Sequence, residues 1–85
     1  MVFIVDPDAR LALPVQRLVD AFGLTAAEAR VALAASAGDG TPAIARGLGL
    51  SANTVKTHLR RVYAKTGVSR QAALVRLVAA LELAP

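Results

Sequence analysis

Cysteine and tryptophan are missing altogether, and the aromatic residues are only Phe3, Phe22 and Tyr63. Without Cys there are no disulfides and no thiolate metal sites. A core with so few rings has to be built from aliphatic side chains and alanine. The single histidine, His58, has no carboxylate cluster near it in sequence, so nothing assembles a metal site, a nucleophile–base pair or an acid/base pair. The expectation is a protein that is not an enzyme and carries no cofactor. No uncharged run is longer than Gly47–Val55, far short of the roughly 20 apolar residues that span a bilayer. Met1–Val5 lacks a basic start and meets Asp6 at once, so it does not read as a signal peptide. No membrane association is expected, and the expected compartment is the cytoplasm. Acids are scarce too, six against ten Lys and Arg in 85 residues. A chain of this length makes one small domain, burying about 60–65% of its unfolded surface.

The charge is unevenly placed. Residues 1–39 hold three Arg against Asp6, Asp8, Asp20, Glu28 and Asp39, a net −2. Residues 40–81 hold Arg46, Lys56, Arg60, Arg61, Lys65, Arg70 and Arg76 and no acid, a net +7; Glu82 brings the total to +4. Such a split in a small domain points to a polyanionic partner.

Taken in order, Val2–Val5 is a short apolar run ended by Asp6-Pro7-Asp8, which reads as a buried strand and a turn. It fits the last strand of a preceding domain, or pairing with a second copy of itself, because a lone strand leaves its backbone groups unpaired. Arg10–Pro14 reads as irregular, with Pro14 opening a helix whose apolar face is Val15, Leu18, Val19 and Phe22, stopped by Gly23. Residues 1–22 thus read as a strand plus a linker helix, the end of a preceding domain, with the helix either packed on the next domain or part of the preceding one, and residues 23–85 read as the main domain. Thr25 and Glu28 have capping-box spacing for a helix reaching about Ala37. Its inner face is Glu28, Val31, Ala32 and Ala35, while Leu33 points away and offers a seat for the 15–22 helix. Thr41 reads as an N-cap with Pro42 at the first helical position, opening a helix to Leu48. Gly49-Leu50 then turns tightly into Ser51. Two helices joined by about four residues that include Gly make a helix-turn-helix. Ala45 suits the point where the helices touch, Gly49 a turn of positive φ, and Val55 the core between them.

The second helix of that pair carries the functional signal. Ser51 caps it, it runs over residues 52–66, and Gly67 stops it. Val55, Leu59, Val62 and Thr66 share one face at i, i+4, i+7 and i+11. Asn53, Lys56, Thr57, Arg60 and Ala64 fall opposite, with Arg61 at the edge. Such a face suits the major groove of double-stranded DNA, where Arg and Lys reach guanine acceptors and Asn reaches adenine. Val68-Ser69 leads into a last helix over residues 70–83, capped by Ser69, with Leu74, Leu77, Val78 and Leu81 as its main stripe. It is apolar nearly all round, so it is expected to be buried on more than one side. A second copy of the chain is the simplest cover, which makes those four residues the expected dimer interface.

In Leu24-Thr25-x-x-Glu28, Gly38, Ile44-Ala45, Leu48, Ser51, Thr54-Val55-Lys56-Thr57-His58-Leu59, Tyr63, Lys65, Gly67-Val68 and Arg70-x-x-Ala73 the chain resembles the LuxR-type helix-turn-helix domain of bacterial transcriptional regulators. The motifs run in order and spacing over residues 23–83. The resemblance implies an all-α, four-helix DNA-binding effector domain, with the third helix in the major groove and the fourth at a two-fold interface. A sensory domain normally precedes it, in keeping with the orphan run at 2–5. The stretch Lys65–Ala73 looks like a branch of large cytoplasmic regulators whose input domain is not a phosphoreceiver. Ala27 and Thr41-Pro42-Ala43 depart from the family, which often has charged or acidic residues there.

Lys56, Thr57 and Arg60 match the base-contacting positions of similar domains and are the expected base readers. Ser51, Asn53, Thr54, Arg61, Lys65 and Arg70 are the candidates for phosphate contacts, which fix register and carry salt dependence. His58 reads as a wedged, hydrogen-bonded structural residue, Tyr63 as core with its hydroxyl outward. Glu28 either caps its own helix or pairs with a cation of the recognition helix. The leading function is sequence-specific DNA binding by a dimeric transcriptional regulator, with RNA polymerase a candidate partner. The alternatives are a sigma-factor-like promoter module and a protein-interaction module of the same fold. The second should have lost its cations, which Lys56 and Arg60 argue against.

Overall fold

The computed structural model describes the backbone of residues 9–83 and the side chains of residues 14–81. Five helices cover this part: α1 (Ala9–Phe22), α2 (Ala26–Ser36), α3 (Thr41–Leu48), α4 (Ala52–Thr66) and α5 (Gln71–Leu83). There is no strand among the described residues. The strand expected at residues 2–5 and the turn after it lie outside them.

The helix ends follow from local chemistry. Thr25 and Glu28 form the capping box: the Glu28 amide donates to Thr25 Oγ1 at 3.1 Å, and the Thr25 amide donates to Glu28 Oε1 at 2.9 Å. Two of the amides that a helix start leaves without partners are thereby satisfied. At α3 the expected cap is one residue late. Gly40 is the N-cap, without a side-chain hydrogen bond, and Thr41 is already helical. Pro42 tolerates the shift because no amide in the first turn has an intrahelical acceptor to lose. The cap expected at Ser69 also moves. α5 begins at Gln71, and the Leu74 amide donates to the Arg70 carbonyl at 3.1 Å. Gln71 has a further role, since its Nε2 donates to the Ala35 carbonyl at 2.7 Å and ties the start of α5 to the end of α2.

α2 is the centre of the molecule and packs against all four other helices. Its contact residues are small: Ala29 and Ala32 are fully buried and Ala35 nearly so. Small side chains let neighbouring helices approach closely, so one short helix can serve four partners. Between them the core is filled by Leu18, Val31, Ile44, Val55, Val62 and Leu74, each worth about 1.5–3 kcal/mol when fully buried.

The reading of residues 10–14 needs correction. The stretch expected to be irregular, residues 10–14, is helical, and Pro14 lies inside α1 rather than at its start. Pro14 removes one backbone bond, to the carbonyl of Arg10. What holds α1 is its apolar face: Leu18 is 1% exposed, and Val15, Val19 and Phe22 pack around the same core. α1 lies on α2 and α5, and Leu33 is half-buried against the core. The α5 stripe is packed within the chain. Leu74 and Val78 are 0% and 4% exposed, and Leu77 and Leu81 pack against the same core. These four are the inner face of α5 within one chain. The outward stripe is Ala72, Val75, Arg76, Ala79 and Ala80. Large side chains fill the volume between helices, and the alanines are left outside.

Candidate nucleic-acid interface

α3 and α4 meet through Gly49, Leu50 and Ser51. Gly49 closes α3 in the left-handed region, φ +67°, and the Leu50 amide donates back to the Ala45 carbonyl at 2.9 Å. A Cβ there would meet no neighbouring atom, so the requirement for glycine is the backbone angle alone. Ser51 then caps α4. Its Oγ accepts from the Thr54 amide at 3.1 Å and lies 2.8 Å from Thr54 Oγ1. At the other end Gly67, φ +80°, donates its amide to the Tyr63 carbonyl at 2.9 Å. The bounds expected for this helix from Ser51 and Gly67 are the ones observed.

Val55 and Val62 anchor α4 with no exposure at all, and Leu59 and Tyr63 pack beside them. This fixes which side faces out. Asn53, Lys56, Arg60, Arg61 and Ala64 are exposed, and Thr57 is half-buried at their edge. Among the described residues Lys56, Arg60, Arg61 and Arg70 make no hydrogen bond or ion pair. The outer face of α4 therefore presents three unneutralised cations, an amide and a hydroxyl on a rigid rod. Ser51 and Thr54 are near its start, already hydrogen-bonded to each other.

Lys65 is different from the other cations. Its Nζ lies 2.7 Å from Glu28 Oε1 and 3.3 Å from the Gly23 carbonyl. Glu28 is 1% exposed, while the Lys65 side chain is 37% exposed. Burial pushes the Glu28 carboxyl up. The Lys65 hydrogen bond, the Thr25 hydrogen bonds and the Lys65 charge outweigh that, so its pKa lies below the ordinary value. The two roles foreseen for Glu28 as alternatives are both filled, and the cation of the recognition helix is Lys65. His58 is half-buried, but its Nδ1 is enclosed without a hydrogen-bond partner among the described residues, so the bond expected for it is not found there. Sequence reasoning missed the Gly23 carbonyl and the Gln71 amide as anchors; backbone acceptors carry no residue-type signal, and a Gln after Arg70 reads as surface.

No group of three or more His, Cys, Asp or Glu gathers among the described residues. No described helix is long and apolar enough to cross a membrane. The arrangement is a capped, buttressed helix with a cationic outer face, held by a second helix across a glycine turn. Residues 23–78 match the pattern of the bacterial regulatory proteins of the luxR family. Neither a curated protein nor a solved structure matches the chain. The matched stretch covers most of the sequence and holds α2, α3 and α4 entire, with the larger part of α5. The chain belongs to the luxR family of bacterial regulatory proteins, a DNA-binding family of transcription regulators, and carries its helix-turn-helix.

Proposed function

We propose that the protein binds specific DNA sites by laying α4 in the major groove, and that two copies act together on a two-fold site. The observation that carries this reading is the outer face of α4, where Lys56, Arg60 and Arg61 are exposed and unpaired on a helix fixed from behind by Val55 and Val62. An α-helix with its side chains is about 10–12 Å across, and the major groove is about 12 Å wide. Lys56, Thr57 and Arg60 then read base edges. Ser51, Asn53, Thr54, Arg61 and Arg70 meet phosphates. Lys65 acts from behind, bracing the end of α4 on Glu28, with phosphate contact secondary. The pairing surface is the outward stripe of α5, Ala72, Val75 and Ala79, since Leu74 and Val78 are occupied within the chain. RNA polymerase is a further partner where the protein activates. A protein-interaction role without DNA is disfavoured by the same unpaired cations, which such a surface has no reason to keep.

The test is selection of bound duplexes from a random pool by the chain and by Arg60→Ala in parallel. The expected result is an enriched motif in paired half-sites about one helical turn apart. Arg60→Ala should relax one base position, at a cost of about 1–3 kcal/mol. Absence of any enriched motif for the unaltered chain overturns the reading.

A further inference from the structure

α1 lies outside residues 23–78, the stretch that the family pattern covers, yet it is fastened to both helices on which the function rests. Arg17 Nη1 donates to the Leu81 carbonyl at 2.9 Å. Leu81 is in the last turn of α5, where carbonyls have no intrahelical donor, and a cation there also opposes the negative end of the helix dipole. Next to Arg17, Leu18 is buried to 1%. At the end of α1 the chain turns at Gly23, φ +70°, and its carbonyl accepts from Lys65 in the last turn of α4 at 3.3 Å. The segment from Arg17 to Gly23 thus reaches the C-terminal ends of both α5 and α4, sharing the α4 end with Glu28.

We propose that α1 is a clasp that regulates DNA affinity. Docked, it helps keep the ends of α4 and α5 ordered; drawn away, it frees the end of α5 and leaves the end of α4 on Glu28 alone. DNA binding then has to order those ends again, and affinity falls by that cost although no DNA-contacting residue has changed. The carrier at α5 is Arg17, a positioning residue, and the carrier at α4 is the Gly23 carbonyl acting through Lys65. The coupling to affinity rests on the DNA-binding reading above; the clasp itself does not.

The experiment uses the whole chain and two variants, Arg17→Ala and Arg17→Lys, with two readouts. The first is amide hydrogen exchange across residues 62–81 in the free protein. The second is affinity, over a series of salt concentrations, for a duplex selected from a random pool by the unaltered chain. Arg17→Ala is expected to speed exchange in the last turn of α5 and to lower affinity at least about twofold, the low end for a lost hydrogen bond. The salt slope should stay as it was, because no phosphate contact is lost. Arg17→Lys should restore most of both, since an ammonium can also serve the Leu81 carbonyl. Unchanged exchange in Arg17→Ala overturns the clasp. Faster exchange with unchanged affinity overturns its coupling to DNA. A salt slope lowered by about one makes Arg17 a direct phosphate contact instead. Failure of the unaltered chain to retain any duplex overturns the DNA reading and the coupling with it, while exchange still reports on the clasp.

Discussion

Replacing Lys65 by methionine keeps the apolar stem of the side chain and removes its charged end. In the native protein Glu28 Oε1 accepts from Lys65 Nζ at 2.7 Å and from the Thr25 amide at 2.9 Å. The variant leaves a carboxylate that is 1% exposed with the capping bond alone. A hydrogen bond to a charged group is worth about 1.5–3 kcal/mol. Because the Lys65 side chain is 37% exposed, the screened low-to-middle part of that range applies, about 2 kcal/mol at neutral pH. For a domain of this size that lowers Tm by about 8–16 °C. The sign of the pH dependence is the sharper check. In the native protein Glu28 has a pKa below 4.5, its ordinary value. Its contribution to stability is complete above that value and is lost as pH falls through the lower, folded one. In Lys65→Met the hydrogen bond and the charge of Lys65 are gone, so the carboxyl's pKa rises from its native position while the Thr25 bonds still hold it down. The variant then has less stability to lose as pH falls. The stability gap between the two proteins should therefore narrow from pH 7 towards pH 3, measured by urea unfolding at each pH. A gap that stays constant with pH, or one below about 0.5 kcal/mol like that of an ordinary surface substitution, would refute the reasoning and return Lys65 to the solvated cations.

Three further outcomes follow from the geometry. Leu74→Asp places a charge in the sealed core and should unfold the chain at ambient temperature, whereas Val75→Asp, on the outward face of α5, should leave circular dichroism and Tm nearly unchanged and, under the proposed two-fold pairing, abolish self-association in sedimentation. Gly49→Ala meets no atom but forces a Cβ into the left-handed region, so it should cost about 1–2 kcal/mol in thermal unfolding. Arg61→Gln should lower the slope of log affinity against log salt by about one and weaken all duplexes alike, while Arg60→Ala weakens the selected motif most.

Much of the site could be read directly from residue types, because its signals are local. Ser51, Gly67 and the i, i+4, i+7 spacing of Val55, Leu59 and Val62 set the ends and the rotation of α4, and rotation alone decides that Lys56, Arg60 and Arg61 face out. The capping box at Thr25 and Glu28 is likewise a matter of three-residue spacing. The glycine turn at Gly49 needs only a backbone that tolerates positive φ. None of these depends on what the rest of the chain does.

Tertiary structure decided what lies between helices. α5 is apolar on nearly every side, so its sequence offers two stripes and no rule for choosing; the packing of α2 took the leucines of Leu74 and Leu77 and left Val75 and the alanines outside. Pro14 reads as a helix start because the rule is local, yet burial of Leu18 carries α1 past it. Lys65 stands among the cations of the recognition helix by sequence, and only the approach of the buried Glu28 carboxylate and the Gly23 carbonyl gives it a different task. In each case the deciding energy is desolvation of a particular surface, which exists only once distant segments have met.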